Sequence, residues 1–133
     1  MTTLSVRTTR REEMIDVTDR VRRVVADAGV KDGLVCVFSP HTTAGVTIQE
    51  NADPDVRSDM LGHLAELVPQ APKFKHSEGN ADSHIKTSLV GPEVTIILEQ
   101  GDLRLGRWQA VYLCEFDGPR ARELWVKIIG NPR

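Results

Sequence analysis

Leu34-Val35-Cys36-Val37-Phe38-Ser39-Pro40-His41-Thr42-Thr43-Ala44-Gly45-Val46-Thr47-Ile48-Gln49-Glu50-Asn51-Ala52-Asp53-Pro54 decides the class of the fold. Residues 34–38 are apolar without alternation, the pattern of a strand buried on both faces. Pro40 ends that strand. A short loop, 41–45, leads into a second strand over 46–51. Asp53-Pro54 then opens a helix, with Asp as N-cap and Pro at the first helical position.

Outward from this stretch the chain reads as regular elements joined by short turns. Residues 3–9 alternate and are β-prone. Residues 17–28 place Val17, Val21, Val24, Val25 and Ala28 on one helical face, with Asp16 as N-cap and Gly29 as the stop. The helix over 55–68 puts Val56, Met60, Leu64, Leu67 and Val68 on one side. Residues 70–80 read as a loop, and Ala81 to Leu89 as a short helix ended by Gly91-Pro92. Strands follow over 94–99, over 103–116 with a break near Gly106, and over 122–129, the last two as a hairpin. This order mixes hairpins with helices. It predicts a compact α+β domain spanning 1–133, a mixed sheet packed with two to three helices. Both faces of the strand 108–116 are apolar, more than a small domain is expected to cover, which points to a homo-oligomer.

Composition narrows the function classes. The chain has 133 residues, 40% hydrophobic and 27% charged. No apolar run reaches the roughly 20 residues of a spanning helix. The N-terminus lacks a charged-then-apolar signal pattern, so a cytoplasmic protein without membrane association is expected. The formal net charge of −2 argues against a large nucleic-acid footprint. Cys36 and Cys114 sit in apolar runs and read as buried small hydrophobes.

The candidate functional residues are polar groups in unusual places. His41 follows Pro40 at a strand end, where scaffolds present reactive groups. Glu50 shares a strand face with Val46 and Ile48 and points inward or toward a cleft. A carboxylate there must be paired, protonated or bound to a cation. Asn51 follows on the other face.

The densest polar stretch is His76-Ser77-Glu78-Gly79-Asn80-Ala81-Asp82-Ser83-His84. A helix starting near Asn80 groups Asn80, His84 and Thr87 and turns Asp82 away, whereas an extended chain aligns Asn80, Asp82 and His84. The sequence leaves both open. Either sets an imidazole near an asparagine at a helix start that can receive an anion. Asp82 in the first turn repels a phosphate unless a divalent cation lies between them. The spacing of His76 and His84 matches no recognised zinc motif, so any site needs His41 or Glu50 to converge there. His63, between Met60 and Leu67, reads as a core or interface histidine. Trp108 most simply fills the core, and Gln109 either caps a strand end or meets a ligand.

Several blocks together resemble one family: His41-Thr42-Thr43-Ala44-Gly45, Glu50 to Val56, His76 to Lys86, Ser88-Leu89-Val90-Gly91 and Gly106-Arg107-Trp108-Gln109. In order and over nearly the whole length, they are similar to the YjbQ family, described as secondary thiamine-phosphate synthases. The resemblance implies a mixed α/β homotrimer with a site near a subunit boundary. It also implies a weak transferase activity that joins hydroxymethylpyrimidine diphosphate to a thiazole phosphate and releases diphosphate. Arg107 departs from the threonine usual in the family before Trp-Gln.

In that scheme His41, His76 and His84 are metal ligands or acid/base groups, with Glu50 and Asp82 as carboxylate partners. Asn51, Asn80 and Gln109 orient a phosphorylated small-molecule substrate, and Thr42, Thr43, Lys86 and Arg107 contact phosphate. Loss of diphosphate calls for charge neutralisation by a divalent metal such as zinc, manganese or magnesium. The same residues fit two rival expectations, a metal-dependent phosphate-ester hydrolase and a non-enzymatic trimeric protein that binds a metal or metabolite.

Overall fold

The computed structural model describes residues 1–71 and 73–131. The elements are β1 (Thr2–Arg7), β2 (Glu13–Asp16), α1 (Thr18–Ala28), β3 (Gly33–Phe38), β4 (Ala44–Glu50), α2 (Pro54–Leu67), α3 (Ala81–Val90), β5 (Glu93–Glu99), β6 (Asp102–Leu103), β7 (Gln109–Glu115) and β8 (Ala121–Gly130). The α+β class with three helices holds. The expected single sheet is instead two antiparallel ones: a five-stranded sheet in the order β1-β8-β3-β5-β6 and a three-stranded sheet in the order β2-β7-β4.

The chain passes between the sheets six times, and two of these crossings matter for the site. Between β3 and β4 it turns through Ser39 to Thr43. Between β7 and β8 it turns through Asp117-Gly118-Pro119, so these strands are not the hairpin that their closeness in sequence suggested. Ser39 fixes the first turn: its hydroxyl donates to the Ala44 carbonyl (2.7 Å) and accepts from the His41 N–H (3.3 Å).

The main core lies between the sheets. Val35 and Val37 of β3, Ile96 and Leu98 of β5, and Leu124 and Val126 of β8 face Val46 of β4 and Val111 and Leu113 of β7. Val21 and Val25 of α1 pack into the same core. The opposite face of β7 carries Ala110, Tyr112 and Cys114, packed under Met60, Leu61 and Leu64 of α2 and Val90. Both apolar faces of β7 are therefore covered within one chain, and the argument for oligomerisation from that strand falls away. Burial raises the Cys114 thiol pKa to about 12, which makes it a packing group. Cys36, by contrast, is only half-buried, and its thiol donates to Glu93 Oε2 (3.6 Å).

Local signals account for most of the boundaries. Asp53 accepts from the Asp55 N–H (2.9 Å) and Pro54 opens α2. Gly29 ends α1 at φ 70°, a left-handed conformation that costs glycine little. Asp16 does not sit at the N-cap of α1, which is Val17, but still accepts from the Thr18 N–H (2.9 Å) and hydroxyl (2.6 Å).

Gly45 has a packing role. A Cβ there would lie 2.6 Å from the Gly91 carbonyl oxygen, so its absence lets the end of α3 close on β4. Three expectations differ. The short β2 was not foreseen, because its four residues follow a charged run. Trp108, expected in the core, is 52% exposed, and Arg107 lies over its ring (4.7 Å). No residue of α2 is fully buried, Leu67 faces out, and His63 is exposed beside Glu66 (3.9 Å) rather than in the core.

Candidate functional site

Residues 81–90 are helical, which settles the geometry that the sequence left open. Asn80 stands at the N-cap position, His84 lies one turn on, and Asp82 points the other way. That turn carries Asp82 into an ion cluster. Its carboxylate accepts from both terminal nitrogens of Arg11 (3.1 and 3.0 Å) and from Lys86 Nζ (2.8 Å), which also donates to Glu12 Oε2 (2.9 Å). The Asp82 and Lys86 side chains are each 1% exposed. Burial pushes the Asp82 carboxyl up, but the hydrogen bonds from Arg11 and Lys86 outweigh it and leave its pKa below the ordinary value. Asp82 is therefore an anchor for α3 and not a metal ligand. Lys86 is not a phosphate contact.

On its other side α3 meets the two sheet crossings. His41, Thr42 and Thr43 from the first crossing, Asn80 and His84 from α3, and Asp117 from the second wall one cleft of about 320 Å³, with Arg120 and Arg122 beside them. His41 Nε2 accepts from the Glu123 N–H (3.0 Å), so that nitrogen carries no proton and the neutral ring holds its proton on Nδ1. Burial lowers the pKa of His41, and the positive charge of Arg122 adds to this. His76 does not line the cleft but packs edge-on against His84, with ring centroids 5.2 Å apart.

The wall beneath His41 is a second buried ion pair. Arg122 shares the inward face of β8 with Leu124 and Val126, and Glu115 shares the inward face of β7 with Val111 and Leu113. Arg122 Nε donates to Glu115 Oε1 (2.8 Å), and Nη2 donates to Glu115 Oε2 and to Thr43 Oγ1 (2.8 Å). Thr8 and the Asp117 N–H also donate to Glu115 (2.8 and 3.0 Å). Burial raises the Glu115 pKa, yet these donors bring it below the ordinary value. Arg122 Nη1 has no hydrogen-bond acceptor among the described residues. Asn80 Nδ2 donates to Asp117 Oδ2 (2.7 Å), while its Oδ1 is buried without a donor.

The remaining expected site residues lie elsewhere. Strands rise about 3.3 Å per residue, which puts Glu50 about 20 Å along β4 from the His41 loop. There Asn51 Nδ2 donates to Asp16 (3.3 Å), and Gln109 Oε1 accepts from the Gly106 N–H (2.7 Å), a turn cap and not a ligand contact. Arg107 stacks on Trp108 in the same region. Within one chain, Glu50, Asn51, Arg107 and Gln109 therefore do not share the cleft of His41 and His84.

Within one chain, the donors are also not grouped around a divalent metal. Among the described residues no three His, Cys, Asp or Glu side chains are grouped to hold one. Asp82 is taken up by two cations, and His41 Nε2 by a backbone N–H. The residues that sequence reasoning missed are Arg11, Glu115, Asp117, Arg120 and Arg122. For Glu115 and Arg122 a signal existed: each is a lone charge on an otherwise apolar strand face, of opposite sign, on strands that face one another.

The model of the family described as UPF0047 protein YjbQ-like matches residues 2–131. Among relatives, UPF0047 protein MJ1081 of Methanocaldococcus jannaschii is 49% identical, over 95% of this chain and 91% of that one. UPF0047 protein YugU of Bacillus subtilis is 47% identical, over 96% and 98%. A crystal structure of a yjbq/upf0047 family protein from Clostridium acetobutylicum, described as uncharacterized, superposes with TM-score 0.95 at 50% identity, over 97% and 100%. A YbjQ-like protein of unknown function from Sulfolobus solfataricus superposes with TM-score 0.93 at 31% identity, over 98% and 96%. These findings overturn the expected thiamine-phosphate synthase function, because the relatives are described by a family designation or as of unknown function, and none is named for such an activity. Closely similar sequences, covered almost end to end, fix the family itself: the chain belongs to the YjbQ-like UPF0047 proteins.

Proposed function

We propose that the cleft between α3 and the two sheet crossings binds a small phosphorylated metabolite that also carries an O–H or N–H donor. The observation that carries this reading is Asn80, a residue of the cleft lining whose amide oxygen is buried without a donor. An unmet buried acceptor costs about 1–3 kcal/mol, and a ligand donor offsets that cost. The oxyanion end is supported by Arg120, Arg122 and Thr42, which line the cleft and outnumber in cation and donor groups its acids Glu78 and Asp117. The cleft volume of about 320 Å³ suits a small molecule.

Titration calorimetry with inorganic phosphate and glycerol 3-phosphate tests the reading. Glycerol 3-phosphate is expected to bind more tightly than phosphate, with the difference lost in Asn80→Ala. His84→Ala is expected to weaken both by about tenfold, the loss of one charge-assisted contact. Saturation of neither compound, or unchanged affinity in His84→Ala, contradicts it.

The same reading includes a homotrimer. A cyclic trimer needs two different complementary patches on each chain. Leu34, Ile97 and Ile129 are cross-strand neighbours exposed on the outer face of the five-stranded sheet. Exposed Leu89 and a cleft of about 500 Å³ lined by Met60, Leu64 and Val90 lie between α2 and α3. Sedimentation velocity is expected to give three times the chain mass of 14.8 kDa, whereas a monomer at micromolar concentration overturns the assembly.

A further inference from the structure

A second, open groove lies along the edge of β1 that no strand covers, where α1 runs beside it, and a depression past Ser5 and Arg7 joins it to His41 and Arg122. Its volume is about 580 Å³, and exposed Arg7 of β1 and exposed Arg20 and Arg23 of α1 line it. Arg20 and Arg23 are three residues apart, so they project from one helix face. None of the three guanidinium groups has a carboxylate within ion-pair distance among the described residues. Arg20 Nη1 donates to the Ser5 carbonyl (3.2 Å), which holds that side chain over the groove. Asp27 is the one carboxylate in the lining, and it pairs with none of them.

Arg11, Arg22, Arg104, Arg120 and Arg122 are ion-paired, and Arg57 and Arg107 lie over the rings of Tyr112 and Trp108; Arg10 also has no ion pair among the described residues, but it does not line this groove. Three unpaired ones around a single groove repel each other, and nothing in the core requires them there. A bound polyanion removes the repulsion and supplies several oxygens for planar guanidinium forks. The near-neutral charge of the whole chain disfavours a long nucleic acid, which needs an extended basic surface. The groove's volume is of small-ligand size.

We infer that the groove between β1 and α1 is an anion site, separate from the α3 cleft, for the di- or triphosphate chain of a small molecule. Titration of the full chain with inorganic tripolyphosphate tests it, against Arg20→Gln/Arg23→Gln and the charge-keeping Arg20→Lys/Arg23→Lys. The glutamine variant is expected to bind tripolyphosphate at least about tenfold more weakly, and the lysine variant less weakly than that. Circular dichroism confirms that each variant folds. Inorganic phosphate binding in the cleft is expected to survive in the glutamine variant, and tripolyphosphate binding to survive in His84→Ala, so the two sites fail independently. Unchanged tripolyphosphate affinity in the glutamine variant overturns the inference. So does binding of heparin without binding of tripolyphosphate, which marks the groove as a surface for long polyanions.

Discussion

Glu115→Ala is expected to lower the unfolding free energy by about 3–5 kcal/mol, the usual cost of stripping one partner from a buried ion pair. The Glu115 side chain is fully buried and that of Arg122 is 5% exposed, so water cannot take the carboxylate's place. Arg122 would keep only Thr43 as acceptor, the Asp117 N–H would lose its own, and Thr8 would be left with the Arg120 carbonyl (3.2 Å). For a chain of this size the melting midpoint should fall by about 10–20 °C. A control separates the pair's specific cost from simple loss of volume. Glu115→Met/Arg122→Met removes both charges and should recover most of the loss, because burying neither ion is often as good as burying both. Urea denaturation of the three proteins checks this, and an effect of Glu115→Ala below about 1 kcal/mol contradicts the buried pair.

The second large effect is expected at Asp82. Asp82→Ala leaves Lys86, at 1% exposure, with Glu12 alone, and deprives Arg11 of its two short contacts. The same range of about 3–5 kcal/mol applies, toward its lower end because Glu12 remains. The damage should be local first: hydrogen exchange in α3 should speed up more than in β3 and β5. Acid should reproduce part of it in the wild type. Asp82 and Glu115 both have pKa values below their ordinary 3.8 and 4.5. Their contribution is complete above those values and is lost as pH falls through the depressed ones. His41, depressed below 6.5, adds an earlier loss of the same sign as pH drops under 6.5. Each carboxylate variant should therefore lose less stability than the wild type between pH 5 and pH 2.

Much of the fold was legible because local rules and tertiary packing agree. The apolar run 34–38, the Asp53-Pro54 start and Gly29 each became the element or boundary that their chemistry implies. What the sequence hid is pairing between distant segments. Nothing within residues 103–129 says that β7 and β8 part into different sheets, because the bend at 117–119 is a tertiary choice. The apolar faces of β7 suggested a partner chain only because α2 and α3 were not yet known to cover one of them.

For the site, the polar blocks were visible but not their addresses. His41, Asn80 and His84 share a cleft because α3 and the first crossing meet. Glu50 and Gln109, equally polar, lie at the far end of the same small sheet. Asp82 resembled a ligand in the sequence because its true partners, Arg11 and Lys86, compete for the same oxygens.

The central claim is that His41, Asn80, His84 and Arg122 form one anion-binding cleft. Nitrogen NMR of the imidazole and arginine side chains during a phosphate titration tests it most directly. Saturable shifts are expected at His41, His84 and Arg122, with His63 unmoved and His41 Nε2 unprotonated at neutral pH. Shifts that spare those three groups, or that follow ionic strength without saturating, contradict it.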